Sequence, residues 1–133
     1  MKILLLDTDV VSFILKGDSR AMSYAPRLQG CRLGLSFMTV AELFQWAAVR
    51  KWGARRSAKL QKALEQYIVL PVDLESCSLW GKIRATRRAI GRPISPQDAW
   101  IAASACRFKL PLVTHNPVDF ELIDSLEIIT AAD

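Results

Sequence analysis

Short apolar runs alternate along the chain with longer stretches in which apolar residues recur every three or four positions. Brief apolar runs bounded by turn-forming residues are typical of strands buried on both faces of a parallel sheet. The longer stretches are typical of helices that bury one face. The alternation predicts an α/β protein, a three-layer α/β/α sandwich with helices on the faces of a mainly parallel sheet.

The predicted elements follow one another without a repeat, a low-complexity tract or a linker, so we expect a single domain over residues 1–133. Strands are predicted at 3–6, 32–37, 68–70, 110–114 and 127–130. Helices are predicted at 10–16, 19–28, 39–52, 57–67, 73–90 and 95–108, with a helical turn at 117–120.

The composition is that of an ordinary globular domain, with 51% hydrophobic and 23% charged residues and a formal net charge of +5. The positive charge favours an anionic partner such as nucleic acid or an acidic protein; a basic surface without a binding role is the alternative. The 3 cysteines are widely spaced, which suits a reducing cytosol, and no apolar run approaches membrane-spanning length. We therefore expect a cytoplasmic protein that does not bind membranes.

Acidic residues follow strands and open helices in a repeated pattern. Asp7 and Asp9 come directly after the first predicted strand. Each of three helix starts places a capping residue first and an acid three positions later: Thr39 with Glu42, Ser95 with Asp98, and Asn116 with Asp119. Taken alone, each of these acids is explained as part of a helix cap, which satisfies backbone N–H groups and complements the helix dipole.

Taken together, the acids indicate a metal site. The carboxyl ends of parallel strands share one edge of the sheet, where open α/β proteins bind ligands. Carboxylates gathered there repel one another, and Mg²⁺ or Mn²⁺ with oxygen ligands relieves the repulsion. In a basic chain this suggests phosphodiester hydrolysis by metal-activated water, because a mechanism that needs two histidines as acid and base is unavailable to a chain with His115 alone.

Four segments resemble the PIN-domain ribonucleases of the VapC toxin type, in the same order and over nearly the whole chain: 5–9 (LLDTD), 39–43 (TVAEL), 96–103 (PQDAWIAA) and 112–120 (LVTHNPVDF). The resemblance implies a PIN-like sheet and a quartet of acids around Mg²⁺ or Mn²⁺, formed by Asp7, Glu42, Asp98 and Asp119. Four further residues are expected to support the quartet: Thr8, Asp9, Thr114 and Asn116.

The resemblance also implies partners. Enzymes of this kind typically cut exposed loops of structured RNA such as tRNA or rRNA, and single-stranded loops do expose bases and backbone that a duplex hides. We expect cleavage to leave 5′-phosphate and 3′-hydroxyl ends. Arg92, just before Asp98 in the chain, and His115, where the family often has arginine, are the expected substrate contacts. A cognate antitoxin protein and a homodimer are implied as well.

Two other sets of residues have two interpretations each. The basic segment Lys82, Arg84, Arg87, Arg88 and Arg92 is either a surface that follows RNA phosphates or a solvated helix face. The tryptophans can stack on bases, but aromatic residues at helical spacing are more typical of a core or an interface: Trp46, Trp52, Trp80 and Trp100.

Two alternative functions stay open on the sequence. The stretch 6–10 also resembles the Asp-x-Asp opening of a haloacid-dehalogenase-like phosphatase, with Asp7 as nucleophile, Asp9 as general acid and Ser36 assisting. A non-catalytic, receiver-like Mg²⁺-binding regulatory module would take Asp73 as its phosphate acceptor. The later lysine that both families require is not evident.

Overall fold

The computed structural model of the chain describes residues 2–132. Its strands are β1 (Ile3–Leu6), β2 (Arg32–Ser36), β3 (Ile68–Leu70), β4 (Leu112–Val113) and β5 (Ile128–Ile129). Its helices are α1 (Thr8–Lys16), α2 (Ala21–Leu28), α3 (Phe37–Val49), α4 (Ala54–Leu64), α5 (Leu74–Ala89) and α6 (Pro96–Phe108), followed by a 3₁₀ turn at Pro117–Phe120. Every predicted strand and helix is present, with altered ends.

The five strands form one sheet in the order β3-β2-β1-β4-β5, and all four pairings are parallel. In the centre, Leu5 of β1 lies opposite Gly34 of β2, and Leu6 lies opposite Val113 of β4. From β1 the chain continues to β2 and β3 on one side of β1, and it then returns to form β4 and β5 on the other side. The crevice beyond the carboxyl ends of the strands at such a reversal is where doubly wound sheets bind ligands.

Successive side chains of β1 point to opposite faces of the sheet and separate two cores. Leu4 and Leu6 pack with residues of α1, α2, α3 and α4 on one face. Leu5 packs with residues of α5 and α6 on the other face. The predicted three-layer α/β/α sandwich is therefore confirmed. Within residues 2–132, no helix combines the length and the hydrophobicity needed to span a membrane.

Helix α5 holds the segment that leads into α6, which we call the 92–96 segment. Three side chains on one face of the helix donate to alternate carbonyl oxygens of this segment. Trp80 Nε1 donates to the carbonyl of residue 96 (3.1 Å), Arg84 Nη1 to that of residue 94 (3.0 Å) and Arg87 Nε to that of residue 92 (2.6 Å). Gly91, with a φ of 73°, makes the turn that brings the segment back along the helix.

We expect Leu5→Ala to lower the free energy of unfolding by about 2–5 kcal/mol, because Leu5 is wholly buried in the central strand. Val69→Ala provides the comparison, since Val69 lies on the edge strand β3 and is 46% exposed. Its cost should be about 0.5 kcal/mol. Urea unfolding of both variants measures the difference, and equal losses would contradict the central position of β1.

Candidate active site

Five acidic side chains line one cavity at the carboxyl edge of the sheet. Asp7 and Asp9 follow β1, Glu42 lies on α3, Asp98 lies on α6, and Asp119 lies on the 3₁₀ turn after β4. The cavity has a volume of about 90 Å³. Its other lining residues are Thr8, Trp46, Ile101, Asn116 and Phe120. Residues far apart in the chain thus converge on the crevice next to β1.

Asp7 is the most buried of these acids, and both of its carboxylate oxygens accept hydrogen bonds. Oδ1 accepts the backbone N–H of Val10 (2.9 Å), so Asp7 is the N-terminal cap of α1. Oδ2 accepts the hydroxyl of Thr114 at the end of β4 (2.5 Å). The Thr114 oxygen in turn accepts the backbone N–H of Asn116 (3.0 Å). This network fixes the Asp7 carboxylate between two neighbouring strands.

Glu42 is held by a chain of two threonine hydroxyls. Thr8 Oγ1 donates a hydrogen bond to Glu42 Oε1 (2.9 Å). Thr8 Oγ1 also lies 3.0 Å from Thr39 Oγ1. Because the Thr8 proton is already engaged with Glu42, the Thr39 hydroxyl is the donor in this second hydrogen bond. The prediction that Thr39 caps a helix is wrong. Helix α3 starts at Phe37, and the hydroxyl of Ser36 accepts the N–H of Met38 (3.1 Å) in its place.

The other two predicted caps have different outcomes. Asn116 makes no capping bond to the 3₁₀ turn; its Nδ2 donates instead to Asp9 Oδ2 (2.6 Å). Ser95 does cap α6, because its hydroxyl accepts the backbone N–H of Asp98 (3.1 Å). The Asp98 side chain reaches the same cavity as Asp119. Helix capping therefore accounts for Ser95 and not for the gathering of the acids.

The electrostatics of the cavity favour binding of positive charge. Burial raises the pKa of Asp7 from 3.8 to about 6. The hydrogen bonds from Thr114 and Val10 lower this pKa, and repulsion from Asp9 and Asp98 raises it. Burial also raises the pKa of Glu42 and the pKa of Asp98. The negative charge of Asp119 adds to the increase for Asp98. Carboxylates with raised pKa values gain stability from a proton or a metal cation in their midst.

The donor set fits a hard divalent cation. The cavity offers carboxylate and amide oxygens and no cysteine or histidine, which suits Mg²⁺ or Mn²⁺. In the conformation described for residues 2–132, no three acidic, histidine or cysteine side chains are close enough together to hold an ion. One Glu42 oxygen is engaged with Thr8, and both Asp7 oxygens have partners. Joint coordination of an ion by three or more of these acids therefore requires their carboxylates to come closer together.

A second cavity of about 370 Å³ adjoins the first, since Asp98 and Asp119 line both. The remaining residues that line it are Arg87, Arg92, Pro93, Ile94, Ser95 and Val118. Arg92, a predicted substrate contact, is therefore next to the acids, and its guanidinium lies 3.2 Å from the Glu121 carboxylate on the surface.

His115, the other predicted substrate contact, lies among aromatic side chains. Its Nδ1 is 2.6 Å from the hydroxyl of Tyr24, and its ring packs edge-on against Phe13 with centroids 5.2 Å apart. It is not among the residues that line the two cavities. Every predicted site residue except His115 therefore lies at or next to the acids. Thr114 does not line either cavity, but its hydroxyl binds the Asp7 carboxylate.

Two site residues were missed by the sequence interpretation. Trp46, expected in a core or an interface, lines the acid cavity one helical turn after Glu42 on α3, and that spacing was the available signal. Arg87, expected on a basic surface, is only 5% exposed. Its signal was its place four residues after the core residue Ile83, on the buried face of α5.

The residues required by the two alternative functions lie elsewhere. Ser36 is fully buried, where it caps α3 and accepts a hydrogen bond from Ser104 (3.1 Å). Asp73 caps α5 on the surface and is paired with Arg107 (2.8 Å). Neither residue lines the acid cavity, so the structure supports neither an assisting Ser36 nor an acceptor Asp73.

We expect Asp7→Asn to stabilise the metal-free protein at neutral pH. Well below pH 3.8 Asp7 is protonated in both the folded and unfolded states and costs nothing; well above pH 6 it is ionised in both, and the folded protein carries the full penalty of its raised pKa. At about 1.4 kcal/mol per pKa unit, the penalty is on the order of 3 kcal/mol. Chemical unfolding in EDTA measures the free energy of unfolding of both proteins. The advantage of the variant should grow as pH rises from 4 to 7, and a difference in unfolding free energy that does not change with pH would argue against the raised pKa.

Comparison with known proteins identifies the family of the chain. A family model for the PIN domain matches residues 4–126. Ribonuclease VapC5 of Mycobacterium tuberculosis is 34% identical over 130 residues, covering 93% of this chain and 92% of its own. Ribonuclease VapC1 of Haemophilus influenzae is 30% identical over 127 residues, covering 94% and 95%. The structure of VapBC-1 from nontypeable Haemophilus influenzae superposes with a TM-score of 0.83 at 30% identity, covering 97% of this chain and 98% of that one. The chain therefore belongs to the PIN-domain family of metal-dependent nucleases and, within it, to the VapC ribonucleases, the toxins of VapBC toxin–antitoxin pairs.

Proposed function

We propose that the chain is an endoribonuclease in which Asp7, Glu42, Asp98 and Asp119 hold Mg²⁺ or Mn²⁺. The observation that carries the proposal is the convergence of these carboxylates, with Asp9, on one cavity of about 90 Å³. Burial of these carboxylates and their mutual repulsion are unfavourable without a cation, and both raise the pKa values of Asp7, Glu42 and Asp98, with burial as the larger cause. The net charge of +5 suits a polyanionic substrate.

The chain's own residues set the geometry of the reaction. Thr114 orients Asp7, Thr8 orients Glu42, and Asn116 orients Asp9. When bound, a divalent cation supplies Lewis acidity, which lowers the pKa of a water molecule and neutralises charge on the phosphate oxygens. The Glu42 carboxylate, which Thr8 holds through one oxygen, is placed to accept a proton from the attacking water. Water attacks phosphorus while the bond from phosphorus to the 3′ oxygen breaks, and the departing oxygen takes up a proton from solvent, which leaves 5′-phosphate and 3′-hydroxyl ends.

The surroundings of the acid cavity suit an unpaired RNA strand. Trp46 presents an aromatic ring beside the acids, with the ammonium of Lys16 5.7 Å and the guanidinium of Arg50 5.9 Å from its centroid. On the other side, Arg92 lines the adjoining cavity. A stacking surface with cations around it is the arrangement that binds single-stranded nucleic acid. We therefore propose exposed loops of structured RNA, such as tRNA or rRNA, as the substrate.

We also propose a cognate antitoxin as partner, a homodimer as the assembly and the cytoplasm as the site of action. The solved VapBC structures of relatives contain a toxin together with its antitoxin. The three cysteines of this chain, Cys31, Cys77 and Cys106, are free thiols, as is usual in the reducing cytoplasm.

The metal mechanism predicts that Glu42→Gln and Asp98→Asn each reduce cleavage of total RNA by at least about 100-fold, because each removes a ligand charge. EDTA should abolish cleavage by the natural protein, and added Mg²⁺ or Mn²⁺ should restore it. Glu65→Gln is the matched control: it makes the same chemical change on an exposed residue outside both cavities and should cleave normally. Full activity in EDTA, or equal cleavage by Asp98→Asn and Glu65→Gln, would refute the mechanism.

Trp46→Ala should raise KM for the RNA that the natural protein cuts by about tenfold or more, because a base stacked on an aromatic ring contributes about 1–3 kcal/mol. The value of kcat should change little, since Trp46 makes no hydrogen bond to the acids. Trp46→Phe keeps an aromatic face and should preserve most of the affinity. Steady-state kinetics separate the two constants, and a loss confined to kcat would contradict a stacking role.

A further inference from the structure

Arg87 is a buried cation without a carboxylate partner. Its side chain is 5% exposed, and no acidic group among residues 2–132 lies within ion-pair distance of it. Its guanidinium donates instead to three backbone carbonyl oxygens: those of Arg92 from Nε (2.6 Å), and of Asp119 (3.2 Å) and Glu121 (3.0 Å) from Nη1. Burying an arginine is costly, and neutral carbonyls repay the cost only through well-placed hydrogen bonds.

The three carbonyls belong to two parts of the chain that each carry an acid of the cavity. The carbonyl of residue 92 begins the 92–96 segment, which leads into α6 and places Asp98 in its first turn. The carbonyls of residues 119 and 121 lie on the 3₁₀ turn that carries Asp119 and just after it. Trp80 and Arg84 on the same face of α5 also bind the 92–96 segment. Of these three side chains, Arg87 is the one that also binds the 3₁₀ turn.

We propose that Arg87 is a positioning residue that sets the distance between the Asp98 and Asp119 carboxylates. This inference rests on the proposed function, in which both acids bind the metal. Arg87 does not line the 90 Å³ cavity and so acts on the metal only through the backbone that it holds. The planar guanidinium suits this task, because its donors lie in a fixed fork that spans two segments, whereas a lysine ammonium is a single point on a flexible stem.

The surroundings of Arg87 allow a direct test by chemical rescue. The residue lines the 370 Å³ cavity and also a larger cavity of about 850 Å³ between α5, the end of α6 and residues 122–125. A small guanidinium ion added to an Arg87→Ala variant therefore has an open path to the vacated space.

The experiment measures Mn²⁺ affinity of the full-length, metal-free protein by calorimetric titration, together with amide hydrogen exchange at residues 116–121. Arg87→Met and Arg87→Lys should each bind Mn²⁺ about 10- to 100-fold more weakly, the usual effect of losing a residue that orients a metal ligand. Exchange at 116–121 should quicken in both. Guanidinium at a concentration that leaves the natural protein folded should restore Mn²⁺ affinity to Arg87→Ala.

Arg88→Met is the matched control, since it removes the same charge from an exposed position one residue along α5. It should bind Mn²⁺ as the natural protein does, with or without guanidinium. The inference is overturned if Arg87→Met binds Mn²⁺ as tightly as Arg88→Met, or if Arg87→Lys is unimpaired. It is equally overturned if no Arg87 variant folds even with guanidinium, because Arg87 would then support the fold as a whole. Failure of the natural protein to bind Mn²⁺ would instead refute the proposed metal site.

Discussion

Mutual repulsion among five carboxylates is the constraint around which the edge of this sheet is organised. The donors that hold three of them are neutral: the Thr114 hydroxyl for Asp7, the Thr8 hydroxyl for Glu42 and the Asn116 amide for Asp9. Neutral donors fix the positions of the acids without cancelling their charge, so the cavity keeps its attraction for cations. Arginines are nearby, but Arg92 pairs with a surface acid and Arg87 with carbonyls. Ion pairs inside the cavity would have stabilised the protein at the expense of that attraction.

Strand register turns this constraint into a specific arrangement. Leu6 of β1 lies opposite Val113 of β4, so the next residues along the two strands, Asp7 and Thr114, come side by side although they are 107 positions apart. A shift of β4 by one residue would turn the Thr114 side chain to the opposite face of the sheet. The apolar residues that set the register, buried on both faces, therefore also determine which hydroxyl reaches the carboxylate.

Much of this arrangement was predictable from the sequence, because it follows from periodicity. The short apolar runs and the helical spacing predicted the layers, and acids at strand ends predicted which edge would carry the site. Other features depend on which of several similar residues is used, or on contacts between residues distant in the chain, and the sequence does not show either. Ser36 and Thr39 are both of residue types that cap helices, and the sequence does not show that Ser36 is the one used, with α3 starting at Phe37. Arg87 stands among other basic residues and looks like part of a surface, although the core stripe of α5 includes it. His115 was expected to contact substrate because it stands where the family often has arginine, whereas Tyr24 and Phe13, distant in the chain, determine where its ring packs.

The row of donors on α5 has a consequence for how such a protein can diversify. Trp80, Arg84 and Arg87 bind the 92–96 segment through its backbone carbonyls, which every amino acid provides. The exposed side chain of Arg92 contributes only a surface contact with Glu121, and Pro93 has no side-chain donor, although both residues line the cavity beside the acids. Substitutions at these two positions can alter which RNA is accepted while the path of the backbone towards Asp98 stays the same. The helix thus separates the part of the site that must not vary from the part on which selection can act.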